Sequence, residues 1–435
     1  MRLSRPSTLA GLCTFLFVWT LTTHGKHSAS GDEPHYLMVT QSLVADRDLD
    51  LANNYANNDG RLFGHNGLER GPHARADRAG RIESVHDIGL PALLTLPYAI
   101  ARSIAGVMPP QWLARVRMDR GLFTYSIVSL LLTALTACGV ALVAESAVRM
   151  SGTLWAAWFV ALAAISPPIA SHAFLVFPEA IALFVTTVVV WLSVRPPAPT
   201  DARALLAIVT LLGVLPWVHR KYSFYVLGLL FVIVWQRRDL IRRLTIAQPA
   251  LAAALFVVPQ AALHLWTWRQ WGTLGGPQMP ASVPFSVETL APGLAGLWMD
   301  RQSGLVSYAP IYWLVPACWL LTWRRTWPYL VPALLLYAPM ASFVEWWGGF
   351  SPAARYLVPI APLCLVPIVE SLRYRSLRVV LALLCVPQLL IDAVVWQHPR
   401  TLWPVASAVN PALEYLGPIG RAYAQLLPML RSGLN

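Results

Sequence analysis

Charge is what this sequence lacks. Only 12% of its 435 residues are Asp, Glu, Lys or Arg, while 56% are hydrophobic and the mean hydropathy is +0.53. Soluble domains carry about 25% charged residues, so a single soluble core is excluded and the chain reads as a polytopic membrane protein. Lysine is nearly absent. Lys26 and Lys221 are the only two, and arginine supplies the rest of a formal net charge of +12. The arginines fall in short clusters between apolar segments, which is the pattern of membrane loops and not of a nucleic-acid-binding face. Nucleic acid is therefore not an expected partner. The cysteines are few, Cys13, Cys138, Cys318, Cys364 and Cys385. All lie in apolar segments without the Cys or His spacing of a disulfide framework or zinc site, and they read as small buried hydrophobes. No internal repeat is visible of the kind that builds inverted-repeat transporters.

Apolar runs long enough to span a bilayer fall near 121–144, 153–172, 179–194, 204–217, 222–235, 247–265, 305–321, 328–344, 356–370 and 379–396. A first segment, 7–24, follows Arg2 and Arg5. It reads as an uncleaved anchor or as a signal peptide ending near Ser28-Ala29-Ser30, with the anchor favoured by the parity of later spans. The run 88–106, with Pro91 and Pro97, is ambiguous. The strongest basic clusters are Arg237-Arg238 with Arg242-Arg243, then Arg324-Arg325, then Arg373 to Arg378. All three are cytoplasmic only if 88–106 lies on the outer surface as an interfacial helix. The expected architecture is thus all-α and multi-pass, with about eleven transmembrane helices. Residues 1–24 form the first span, 25–119 an external loop with interfacial helices, 120–396 a bundle of about ten further helices, and 397–435 an external tail. Eleven of the 21 acidic residues lie in 25–119, so the polar chemistry gathers on one face.

Asp32 and Glu33 stand at the outer end of the first span. Adjacent carboxylates beside hydrocarbon are costly and mark a functional site. Asp32 is either an N-cap with Glu33 and Pro34 in the first turn, or a general base whose basicity partial desolvation raises. Asp46-x-Asp48-x-Asp50 opens like a calcium loop, but Leu51 and Asn57 break the EF-hand pattern, leaving a solvated turn. No metal cluster stands out by spacing; a divalent cation is left open, with Asp32, Asp48 and Asp50 as the residues that folding would have to bring together. His86-Asp87 precedes the interfacial helix, Asp87 as cap and His86 as proton carrier or phosphate donor. Glu179 interrupts two apolar runs with no neighbouring cation in sequence, an expensive placement outside a polar cavity. His219-Arg220-Lys221-Tyr222 puts a basic cluster at the outer boundary, against the charge rule; a bound anion at headgroup depth accounts for it. Glu345-Trp346-Trp347 and Arg355 join an acid, two indoles for stacking on a sugar and a cation in one external loop. Asp300-Arg301 is a weaker candidate of the same kind.

This order of motifs resembles the GT-C superfamily of membrane glycosyltransferases, in particular the protein O-mannosyltransferases and the lipid A aminoarabinose transferase. The resemblance rests on Asp32-Glu33-Pro34-His35-Tyr36 after the first span, on a second interfacial helix at 88–106, and on Glu179 as the next external acid. It covers the layout of roughly residues 1–220. It implies an inverting glycosyltransferase of the cell (inner) membrane, acting on the periplasmic or external face. The sugar would come from a polyprenyl-phosphate donor and pass to a lipid, glycan or protein acceptor among the membrane lipids. Asp32, with Glu33, would serve catalysis. Arg220, Lys221 and Arg355 would clamp the phosphate, and His86 and Glu179 would orient acceptor or clamp. The alternatives are a flippase or transporter for lipid-linked sugars, which needs polar residues along a path through the spans, and a non-catalytic scaffold.

Overall fold

The computed structural model describes residues 3–25, 27–196, 201–277, 285–404 and 408–430. It is helical almost throughout, and the one sheet among these residues is a small hairpin of β1 (Ala74–Ala76) and β2 (Ile82–Ser84). The longer helices are α1 (Arg5–Gly25), α2 (Glu33–Ala45), α3 (Gly89–Val107), α4 (Arg120–Ser151), α5 (Trp155–Ile165), α6 (Pro178–Val194) and α7 (Asp201–Val218). They continue as α8 (Ser223–Gln236), α9 (Ala247–Trp271), α10 (Val287–Met299), α11 (Val315–Ala341), α12 (Ala361–Ser371) and α13 (Arg375–Gln397). Of these, α3, α4, α9 and α13 are long and apolar enough to cross a membrane.

The bundle is apolar both inside and out. Val140, Leu183, Val189 and Leu229 are buried, while Leu9, Leu12, Leu320, Leu383 and Val386 stand exposed on outer helix faces. Helices apolar all round are the signature of a lipid-facing bundle. Small residues let neighbours approach: a Cβ on Gly11 of α1 would lie 2.7 Å from the Ala137 carbonyl of α4. Polar capping fixes the long α4, since Asp119 accepts from the Leu122 amide and Gly152 closes the far end at φ +69°.

Helices α6 and α12 give the bundle its polarity. Each starts at the site described below and ends at a basic cluster. Arg237 donates to the carbonyls of Leu192 in the last turn of α6 and of Arg195 just past it, and Arg325 and Arg373 approach Glu370 at the end of α12. The strongest arginine clusters therefore collect at the end away from the site.

Several expectations are corrected. Arg324-Arg325 is not a loop between two separate runs; both arginines lie within α11, which carries Pro328, Pro332 and Pro339. Residues 305–314 form only a short helix and a 3₁₀ turn ahead of it. The run 153–172 breaks after Ile165. Cys13 and Cys138 are exposed and Cys385 half-buried; only Cys318 and Cys364 are buried. A thiol costs little against hydrocarbon, so spacing alone does not say which way it faces.

Helix α3 is two-faced. Leu90, Leu94, Tyr98, Ala101 and Ala105 are buried, and Leu93, Leu96, Ile100, Ile104 and Val107 are exposed. Its start lies on Trp217 and Val218 at the end of α7, and Tyr98 and Arg102 both donate to Gln41 of α2. The chain then returns through Pro110–Arg115 to α4, where Gly121 packs on Arg61 and Gly64 of the 25–119 segment.

Candidate active site

Helix α2 is where the site begins. Gly31 adopts φ +58°, and a Cβ there would lie 2.7 Å from the Phe350 carbonyl. A side chain would thus be strained and obstructed at the turn that presents the next residue. Asp32 occupies the N-cap position of α2, but its carboxylate makes no capping bond. It reaches instead across the fold, where Arg355 Nη1 donates to Oδ2 at 3.0 Å. The N-cap role is backbone only.

Arg355 also donates from Nε to Oε1 of Glu179 at 2.8 Å, and Lys221 Nζ donates to the same oxygen at 2.6 Å. Glu179 is fully buried at the start of α6, and Arg355 precedes α12. Lys221 lies in the 3₁₀ turn Arg220–Tyr222 between α7 and α8. Four charged side chains from four parts of the chain thus form one network, with the Arg355 guanidinium 4.1 Å from the Phe177 ring centroid. Lys221 lies between the rings of Tyr222 and Tyr356, 5.3 and 5.2 Å from their centroids. Pairing of this kind is what makes buried charge tolerable.

The electrostatics follow. Burial alone would lift the Asp32 carboxyl, but the Arg355 guanidinium and His86 outweigh it and hold it well below the usual carboxylate range. Desolvation raising Asp32's basicity, expected from its place in the sequence, is overturned by this partner. Burial lowers Lys221 to about 8 despite the attraction of Glu179. Burial also takes His35 down to about 3 and His86 to about 4, in each case helped by neighbouring imidazoles, so both rings are neutral at neutral pH.

Glu33 points the other way. Its Oε1 accepts from Tyr125 Oη and the Val176 amide, its Oε2 from the Ser30 amide, and it is fully buried. It locks α2 to α4 and to the segment entering α6, which is a structural task. Asp87 does not cap α3. It accepts from the Arg220 amide at 2.9 Å and faces Arg220 Nε at 2.8 Å, with His219 Nδ1 3.5 Å away. Arg220 donates onward to Thr267. Arg220 and His219 thus fasten the turn that presents Lys221, and Tyr222 is buried behind it.

Not every expected residue joins the network. Trp346 is fully buried, its six-membered ring where a Cβ on Gly296 would collide, so it packs the core and offers no face to a sugar. Glu345 is exposed on the loop whose Gly348 and Phe350 rest on Arg355 and Gly31. Arg301 belongs to the C-terminal segment: its Nε donates to the Leu427 carbonyl and its amide to that of Pro428, while Asp300 accepts from the Leu430 amide. Asp46, Asp48 and Asp50 cannot meet Asp32, because they lie past the opposite end of the 13-residue α2, about 20 Å away at 1.5 Å per residue. They accept from Asn54, Ser42 and the Ala52 amide in a turn.

His73 carries no mark in the sequence, yet it stands beside Asp32, with Nδ1 4.0 Å from Oδ1 and 3.0 Å from His86 Nε2, and it stacks on His35 at 3.7 Å. Buried polar atoms surround the network without partners among the described residues: Glu179 Oε2, Tyr36 Oη and Tyr222 Oη. They are groups that a polar ligand would satisfy.

No family model matches the chain, and no curated protein matches it. Among solved structures, it is similar to the crystal structure of ArnT from Cupriavidus metallidurans bound to undecaprenyl phosphate. The sequence identity is 15%, 96% of this chain and 68% of that chain are covered, and the TM-score is 0.47.

Proposed function

We propose that the chain is an inverting membrane glycosyltransferase, which moves a sugar from a polyprenyl-phosphate donor to an acceptor hydroxyl or amine at the external face. The observation that carries this reading is the bridge Asp32–Arg355–Glu179–Lys221. It sets one partly exposed carboxylate beside two buried cations at the end of an apolar bundle opposite the arginine clusters. That is where the phosphate of a lipid-linked sugar sits once it faces outward.

Each residue has a task in this scheme. Glu179 neutralises and aims Arg355 and Lys221. Arg355 Nη2 makes no hydrogen bond among the described residues, and Lys221 keeps further N–H groups, so both retain donors for a phosphate. The acceptor attacks the anomeric carbon as the carbon–oxygen bond to phosphate breaks, and the electron pair leaves on the lipid phosphate. That phosphate is a stable anion, so no second carboxylic acid is needed to protonate it, unlike glycoside hydrolysis. The positive charge it needs comes from Arg355 and Lys221. Asp32, held ionised, takes the acceptor proton late, when bonding to carbon has made the acceptor oxygen or nitrogen strongly acidic.

The test is sugar transfer from a labelled polyprenyl-phosphate donor by purified protein in vesicles, with Asp32→Asn as the control. Release of polyprenyl phosphate by the wild type, with a loss of about 10²-fold or more in the variant, supports the scheme. Failure of both across a donor and acceptor panel, with lipid-linked sugar nevertheless moving between leaflets, would replace it with a flippase.

A further inference from the structure

The charges of the site cancel. Asp32 and Glu179 balance Arg355 and Lys221, and Asp87 balances Arg220. An anionic phosphate entering this network meets the local charge and donors of Arg355 and Lys221, but the acids already balance the net charge. The remaining polar groups beside Asp32 are nitrogen donors of the kind that bind metals. Arg355 occupies Oδ2 of the carboxylate, while Oδ1 faces His73, which in turn meets His86.

We infer that Asp32, His73 and His86 form a binding site for one divalent transition-metal cation. One ligand atom from each residue lies within 4.8 Å of the other two, and the nearer pairs stand at 3.0 Å and 4.0 Å. Nitrogen and carboxylate ligands about 2.1 Å from a tetrahedral cation stand about 3.4 Å from one another, so modest side-chain rotation closes the set. Two imidazoles and a carboxylate suit zinc and its first-row neighbours, whereas magnesium demands octahedral oxygen ligands. Supporting contacts hold the set in place. His35, hydrogen-bonded to Tyr55 Oη at 3.2 Å, stacks on His73, and the Tyr36 ring centroid lies 4.8 Å from that of His86. His73 and Asp32 are partly exposed, at 29% and 25% of their side-chain surface. The cation would therefore be reached from the open side, where its remaining coordination positions face a ligand oxygen. Binding stands on this geometry alone; only the cation's use in holding a phosphate rests on the glycosyltransferase reading.

The experiment is equilibrium dialysis of the metal-stripped full chain in detergent against Zn2+ alone and against Mg2+ alone, with elemental analysis. Wild type is compared with His73→Ala, His86→Ala and the milder His86→Asn, each checked for an unchanged melting profile. One Zn2+ retained per chain, weakened at least about 10-fold in the histidine variants and not displaced by Mg2+, is the expected result. Absence of stoichiometric Zn2+ in the wild type, or equal retention by all the folded variants, overturns the site. A metal-stripped wild type that still transfers sugar leaves the glycosyltransferase reading standing, so the two fail separately.

Discussion

Arg355 joins two carboxylates that lie 147 positions apart, donating to Asp32 from Nη1 at 3.0 Å and to Glu179 from Nε at 2.8 Å. One planar guanidinium therefore fixes the distance between Asp32 and the acid that holds Lys221. A lysine has a single charged nitrogen and no fork.

Arg355→Lys should accordingly lower transfer by about 10²-fold with little change in fold, because one ammonium cannot hold both acids in register. Arg355→Ala should do the same and also destabilise the chain by about 3–5 kcal/mol, since it leaves Glu179 buried with one cation fewer. Transfer rate and thermal melting measured on the same preparations separate the two effects. Full activity in Arg355→Lys would refute the bridge.

The pH dependence of donor binding should report Lys221. Its pKa of about 8, lowered by burial, keeps the ammonium charged below pH 8 and neutral above it. Donor KM should rise as pH passes 8, and Lys221→Arg should move that limb to higher pH. Stability should run the other way. Because the folded pKa lies below the ordinary 10.5, the charged lysine costs the fold, and that cost is relieved as pH rises from about 8 towards 10.5. Parallel KM and melting profiles between pH 7 and 10.5 check both signs.

Trp346 should behave as core. Trp346→Ala should cost about 3–5 kcal/mol of stability through the cavity left against Gly296, with donor and acceptor KM unchanged in the protein that remains folded. A large KM effect without loss of stability would restore the sugar-stacking role.

Arg301→Ala should leave transfer unaffected while freeing the C-terminal segment, which it holds through the Leu427 carbonyl. Limited proteolysis should cleave the variant near residues 408–430 faster than the wild type. Equal cleavage would show that Asp300 and the neighbouring backbone bonds suffice.

Parts of the site were legible because polar residues stood out against apolar runs. Glu179, Lys221 and Arg355 each interrupt or flank hydrocarbon-length segments, where a charge is costly enough to need a reason. His73 left no such mark. It sits in the turn-rich stretch between α2 and α3, where neither helical nor strand period constrains side chains, and only the return of that stretch over α2 brings it to Asp32. Trp346 misled for a related reason, since an indole at a membrane boundary and an indole packed on a glycine read alike in one dimension.

The sequence by itself determined the membrane class, the gathering of acids in 25–119 and the arginine clusters that collect away from the site, because solvation cost is set by residue type and segment length. Tertiary structure alone decided which acid does what. Neighbouring residues at a helix start point about 100° apart, so Asp32 meets Arg355 while Glu33 is buried among Tyr125, Val176 and Ser30. The pairing also decided the sign of the electrostatics. Burial pushes a carboxyl one way and a guanidinium at 3.0 Å pushes it the other, and only the fold puts the guanidinium there.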